Sequence, residues 1–154
     1  SLDLLDCPPD LEGVCVLVVD DDPDARDLIK TILTQCNAAV MTAASTDEAL
    51  EIFRRQNDWR PELLISDIEM PGADGYSLIR ELRKLEAQQG GRLPAVALTA
   101  YTRVEDRLRS LSAGFQMHVG KPIEPTELLT IVASLTGRLD KQKQSDENNR
   151  EALG

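Results

Sequence analysis

Ten consecutive residues, Leu63-Leu64-Ile65-Ser66-Asp67-Ile68-Glu69-Met70-Pro71-Gly72, constrain this chain more than any others. An apolar run ends on a single carboxylate, and a loop containing Pro and Gly follows at once. A run this short, set between Pro61 and Pro71, predicts a buried strand. Its last side chain, Asp67, then lies at the mouth of a sheet, where open α/β folds bind their ligands. Three other apolar stretches end in a related way. Val14 to Val19 ends on Asp20-Asp21-Asp22, Ala95 to Leu98 ends on Thr99, and the weaker Met117-His118-Val119 leads to Lys121. Carboxylates, a hydroxyl and an ammonium are complementary groups. Gathered at four strand ends they make a site, which stop signals of unrelated chemistry would not.

Taken in order, residues 1 to 12 form a lead segment in which Pro8-Pro9 favours an extended or turn conformation. Val14 to Val19 is apolar at consecutive positions, as in a strand covered on both faces. Asp22-Pro23 predicts a helix start, with Asp22 as N-cap and Pro23 at the first helical position. Ala25, Leu28, Ile29, Ile32 and Leu33 continue it at helical spacing. Ala38 to Ala44 is a second, weaker strand. Ser45-Thr46-Asp47-Glu48 fits a capping box, with Ser45 and Glu48 reciprocal. Ala49, Leu50, Ile52 and Phe53 carry that helix, which Trp59 and Pro61 close.

After the strand that reaches Asp67, Gly72 and Gly75 bracket a sharp loop. Tyr76, Leu78, Ile79, Leu82 and Leu85 mark a third helix, ended by Gly90-Gly91. Pro94 opens the fourth strand. Val104, Leu108 and Leu111 repeat at helical spacing, with Gly114 as C-terminal stop. Met117 to Val119 is a short fifth strand, and Pro125 to Leu135 is a fifth helix stopped by Gly137. Five strands alternating with five helices predict an α/β fold. It has a parallel sheet, right-handed crossovers and helices on both faces. The domain is expected over residues 13 to 137. Residues 138 to 154 are a polar tail or linker. Asp140 to Arg150 is polar or charged throughout and buries too little to order itself, unless it is a helix packed on something further.

The net charge of −10, from 17 basic and 27 acidic residues, disfavours a general nucleic-acid or anionic-membrane surface. It suits a site that binds a cation. No apolar stretch is long enough to span a bilayer, and no signal peptide is visible. Cys7, Cys15 and Cys36 lack metal-ligand spacing and cannot all pair, so a reducing cytoplasm is the expected location. The chain opens on Ser1 rather than Met, as expected of a piece of a longer protein.

Asp20, Asp21 and Asp67 are expected to converge at one sheet edge. Two carboxylates about 4 Å apart repel by roughly 4 kcal/mol at an effective dielectric of about 20, and a divalent cation removes that cost. An all-oxygen site with few protein ligands suits Mg²⁺. Lys121 and Thr99 have no use in a simple cation site, but an ammonium and a hydroxyl are ligands for a phosphoryl group. Asp67 is therefore the expected nucleophile, forming an acyl phosphate. Mg²⁺ and Lys121 would neutralise the transferring group, and Thr99 would donate to it afterwards.

The strand-end motifs are Val16-Leu17-Val18-Val19-Asp20-Asp21, Ser66-Asp67-Ile68-Glu69-Met70-Pro71 with Asp74-Gly75, Leu98-Thr99-Ala100, and Lys121-Pro122. In these, and from about Val14 to Leu135, the chain resembles the receiver domain of two-component response regulators. The resemblance implies a flavodoxin-like, five-stranded sheet of order 2-1-3-4-5. It implies phosphorylation of Asp67 by a histidine kinase or histidine phosphotransfer domain, in a reaction the domain itself catalyses. Asp21, Asp67 and the backbone carbonyl of Glu69 would hold Mg²⁺, with Asp20 acting largely through water.

A cis peptide would precede Pro122. Thr99 and the fifth-strand position of His118 would form the conformational switch, although Tyr or Phe is usual where His118 stands. Glu69 and Tyr101 would flank the path of the water that ends the phosphorylated state. Leu11-Glu12-Gly13, Lys121-Pro122-Ile123-Glu124-Pro125 and Leu128-Leu129 are similar to receivers fused to hybrid histidine kinases. The sequence does not decide the oligomeric state, a homodimer included. The rivals are a haloacid-dehalogenase-like phosphatase and a non-phosphorylated pseudo-receiver. The first needs an acidic pair at a strand end after the lysine, where this chain has only Glu124 and Glu127. The second is disfavoured by the intact site.

Overall fold

Alternating side chains of each central strand go to opposite faces, so a strand apolar at every position needs cover on both. The computed structural model, which describes residues 9–55, 60–89, 92–100 and 103–153, meets that need. Strands β1 (Cys15–Val19), β2 (Ala39–Ala43), β3 (Leu63–Asp67), β4 (Ala95–Thr99) and β5 (Met117–Gly120) form one parallel sheet of order 2-1-3-4-5. Val16 and Val18 face a core made with Ile29, Ile32 and Leu33 of α1 (Pro23–Gln35) and Leu128, Leu129 and Val132 of α5 (Pro125–Leu135). Leu17 and Val19 face the other core, made with Ala49 and Leu50 of α2 (Thr46–Arg54) and Leu78, Ile79 and Leu82 of α3 (Gly75–Gln89). Helix α4 spans Val104–Ala113. Trp59, Gly90-Gly91 and Tyr101, which carry sequence expectations, lie outside the described residues.

Local chemistry sets most boundaries. The Asp22 side chain accepts the Asp24 N–H at 3.0 Å, with Pro23 at the first helical position. Ser45 Oγ accepts the Glu48 N–H at 3.2 Å. The return bond differs from the expected capping box: Glu48 Oε2 accepts the N–H of Ala44, one residue earlier, at 2.7 Å. Gly114 ends α4 at φ +125, and Gly137 follows α5 at φ +75, conformations glycine adopts without steric cost.

Three features go beyond the sequence reading. Val104, Leu108 and Leu111, at helical spacing on α4, form an outward face, with the three residues 64%, 58% and 51% exposed. The buried residue of α4 is Ser110, its hydroxyl satisfied by the Asp106 carbonyl at 3.0 Å. Residues Arg138–Leu153 form a sixth helix, α6, where the sequence left linker and helix open. Cys36, at the C-cap of α1, is disulfide-bonded and Cys15 is a free thiol, in keeping with an odd number of cysteines that cannot all pair. The lead segment docks on Cys36, whose carbonyl accepts the Leu11 N–H at 2.8 Å, and Leu11 and Val14 are core residues.

Candidate functional site

Four adjacent strands deliver their terminal groups to one edge. Asp20 follows β1 and is fully buried, Asp67 ends β3 at 3% exposure, and Thr99 ends β4 at 2%. Lys121 follows β5, and its N–H donates to the Thr99 carbonyl at 2.8 Å, which ties the β5 loop to the end of β4. The Lys121-Pro122 peptide is cis. Lys121 Nζ lies 3.2 Å from Asp67 Oδ1 and 3.5 Å from Asp20 Oδ2. One carboxylate oxygen from each of Asp20, Asp21 and Asp67 lies within 4.8 Å of the others.

These distances decide the electrostatics. Burial raises Asp67, and the charge of Asp20 adds to it. Lys121 pulls the other way without prevailing, so Asp67 is pushed up to about 7. Burial alone would lower Lys121, but Asp20 and Asp67 outweigh it and hold the ammonium above its ordinary value. One ammonium therefore does not balance the acidic cluster. An all-oxygen donor set with surplus negative charge fits a hard cation of the Mg²⁺ type.

The Glu69 carboxylate is not part of this cluster. Its Oε1 accepts the Thr99 hydroxyl at 2.6 Å, while the Glu69 N–H donates to Asp67 Oδ1 at 3.3 Å. The loop after β3 folds back on the strand end, with the Gly75 N–H donating to the Ile68 carbonyl at 3.1 Å. A Cβ at Gly75 would stand 2.4 Å from the Asp67 carbonyl oxygen and 2.9 Å from the Ile68 Cα, both backbone atoms. Gly75→Ala is therefore expected to destabilise the fold by about 1–3 kcal/mol, the usual cost of overpacking, and to slow any reaction of Asp67. Urea unfolding of parent and variant measures it, and an unchanged midpoint would refute the close-approach argument.

The sequence model of the response regulator receiver domain matches residues 16–133. The chain belongs to this family. It is 46% identical over 117 residues to an uncharacterised 14.6 kDa protein of Leptolyngbya boryana, covering 76% of this chain and 86% of that one. It is 34% identical over 142 residues to the response regulator Rre1 of Synechocystis sp., covering 92% of this chain and 58% of that one. The chain thus spans less than two thirds of Rre1. Among solved structures it is similar to the receiver domain of the sensor histidine kinase PA1611 of Pseudomonas aeruginosa, which holds a magnesium ion in its active-site cleft. That match has a TM-score of 0.71 and 32% identity, and covers 81% of this chain and 98% of that one.

This receiver domain carries further residues at the site that sequence reasoning missed. Arg26 Nη1 donates to the Asp20 carbonyl at 2.8 Å, fixing the turn that aims Asp20. The Arg109 guanidinium stacks 4.2 Å above the Tyr76 ring. With Asp106 it lines a cavity of about 470 Å³ beside Glu69 and Thr99. Neither arginine had a local signal, since a charged residue on a helix resembles any solvated face. His118 is half-buried on β5, in register with Ala97 of β4. Glu124 caps α5, accepting the N–H groups of Thr126 and Glu127, and Glu127 lies in the first turn of that helix. Neither supplies the strand-end acidic pair of a dehalogenase-like phosphatase.

Proposed function

We propose that Asp67 is the phosphoacceptor of this receiver domain. The observation that carries the reading is Lys121 Nζ at 3.2 Å from Asp67 Oδ1, beside an acidic cluster in which Asp20 and Asp67 are buried and Asp21 is exposed. An Asp67 carboxylate oxygen attacks the phosphorus of a phosphohistidine. The new O–P bond forms as the N–P bond breaks, and the electron pair returns to the imidazole nitrogen, which takes up a proton. Lys121 stabilises the equatorial oxygens, where charge accumulates. Thr99 must exchange Glu69 for a phosphoryl oxygen, so phosphorylation breaks the 2.6 Å hydrogen bond between them. That exchange starts the conformational switch, with His118 in the position usually held by Tyr or Phe.

Asp21, Asp67 and the Glu69 carbonyl would hold Mg²⁺, with Asp20 acting through water. When bound, Mg²⁺ neutralises charge on the phosphoryl oxygens. The partner is a histidine kinase or histidine phosphotransfer protein, the location cytoplasmic, and the parent protein a hybrid histidine kinase. Incubation with a phosphorylated phosphotransfer domain should place one phosphoryl group on Asp67 in Mg²⁺ and none in EDTA. Transfer to another residue, or transfer indifferent to EDTA, would refute the reading.

The lifetime of the phosphorylated state belongs to Glu69 and Tyr101. Hydrolysis needs a water in line with the leaving carboxylate, and a bulky side chain at that position in the chain would obstruct such a water. Tyr101→Ala is expected to speed phosphoaspartate loss by up to roughly tenfold, about 1.4 kcal/mol of barrier. A decay series on both proteins measures this, and an equal or slower decay in the variant would eliminate the idea.

A further inference from the structure

At the opposite end of the sheet from Asp67, a second cavity of about 410 Å³ opens between α2 and α3. Its walls are Ile52 and Phe53 of α2 and Leu82 and Leu85 of α3, and Leu93 and Pro94 line the approach to β4. One wall is fixed in place. Arg83 and Glu86 pair at 2.8 Å, the Leu93 N–H donates to Glu86 Oε1 at 2.7 Å, and Arg83 Nη1 donates to the Leu93 carbonyl at 2.7 Å. The charge of Glu86 is thereby neutralised at the rim.

Three arginines line the same cavity. Arg55 is engaged locally, paired with Glu51 at 3.3 Å at the C-cap of α2, where helix carbonyls concentrate negative charge. Arg60 and Arg92 are exposed, and among the described residues neither has a hydrogen-bond or ion-pair partner. Of the two carboxylates in the lining, Glu86 is paired with Arg83, which leaves Glu62 against them. A chain of net charge −10 thus presents, beside an apolar hollow, two guanidiniums without a partner among the described residues. The volume lies within the range of about 300–1,000 Å³ typical of small-molecule sites. A planar guanidinium fork matches a carboxylate.

We propose that this cavity binds a small amphipathic carboxylate, its apolar body between α2 and α3 and its carboxylate on Arg60 and Arg92. The five residues of β3, at roughly 3.3 Å each, separate this site from Asp67. The ligand therefore does not compete with phosphorylation. The test is an amide NMR titration of the chain with naphthoate and, separately, with the uncharged naphthalenemethanol. Naphthoate should shift the Leu85 and Leu93 amides saturably and bind roughly tenfold tighter than the alcohol, about 1.4 kcal/mol. The double variant Arg60→Ala, Arg92→Ala should abolish that preference, and Leu85→Trp should weaken both ligands by filling the cavity. Labelling at Asp67 should be unchanged in each variant, which checks the fold. Shifts centred on the exposed Val104, Leu108 and Leu111 face, equal affinities for the two probes, or no saturable shift at Leu85 and Leu93 would each overturn the proposal.

Discussion

Asp67→Asn is expected to lose phosphoryl labelling completely while keeping the fold. The residue is 3% exposed at the end of β3, so a substitute must match its shape, as the amide does. An amide nitrogen or oxygen is a far weaker nucleophile than a carboxylate, and it brings no charge to the cation site. The variant also removes one member of the buried Asp20–Asp67 repulsion while leaving Lys121 paired with Asp20 at 3.5 Å. In metal-free buffer it should therefore melt above the parent. Intact-mass analysis after treatment with a phosphohistidine donor gives the labelling, and thermal melts give the control. Full labelling of a folded variant would show that Asp67 is not the nucleophile.

The second large effect is a pH dependence that Mg²⁺ removes. Without metal, Asp67 in the folded chain titrates near 7, against 3.8 for the ordinary side chain. Below the ordinary value both folded and unfolded chains hold the proton, and the stability associated with this group is fully present. As pH rises through the window from 3.8 to about 7, the unfolded chain ionises first and the folded chain binds more protons. Stability therefore falls across that window. One pKa unit is worth about 1.4 kcal/mol. Hydration of the site takes up part of it, so the loss is on the order of 2–4 kcal/mol, several degrees in melting temperature for a chain of this size. The raised Lys121 acts in the opposite part of the scale, above its ordinary value of 10.5.

A cation that needs the ionised carboxylate binds only the deprotonated fold and stabilises it by mass action. The melting-temperature gain on replacing EDTA with Mg²⁺ should thus be larger at pH 8 than at pH 5. Subtracting the Asp67→Asn variant, whose gain should be small at both, isolates this group from every other titration. A gain independent of pH in the parent would contradict the raised carboxylate.

The two cavities show how site chemistry divides between local and distant causes. Asp67, Thr99 and Lys121 were legible because each terminates its own apolar run, and a strand end is a local signal. That Thr99 donates to Glu69, 30 positions away in sequence, was not legible. Nor was the cavity between α2 and α3, whose walls come from four separate stretches of chain. The outward face of α4 was not legible for a related reason. Spacing shows which residues share a helix face, but not whether a neighbour covers it.

The sequence by itself determined the five strands, their alternation with helices, most helix boundaries and the residues at the strand ends. Those depend on periodicity, capping and apolar length, which act over a few neighbouring residues. Only the tertiary structure decided that Asp67 is held near 7, that Lys121 reaches both acids, that α4 turns its apolar face outward, and that Arg60 and Arg92 share a rim. Burial and Coulomb energy depend on distances between residues far apart in the chain, and those distances exist only once the sheet is assembled.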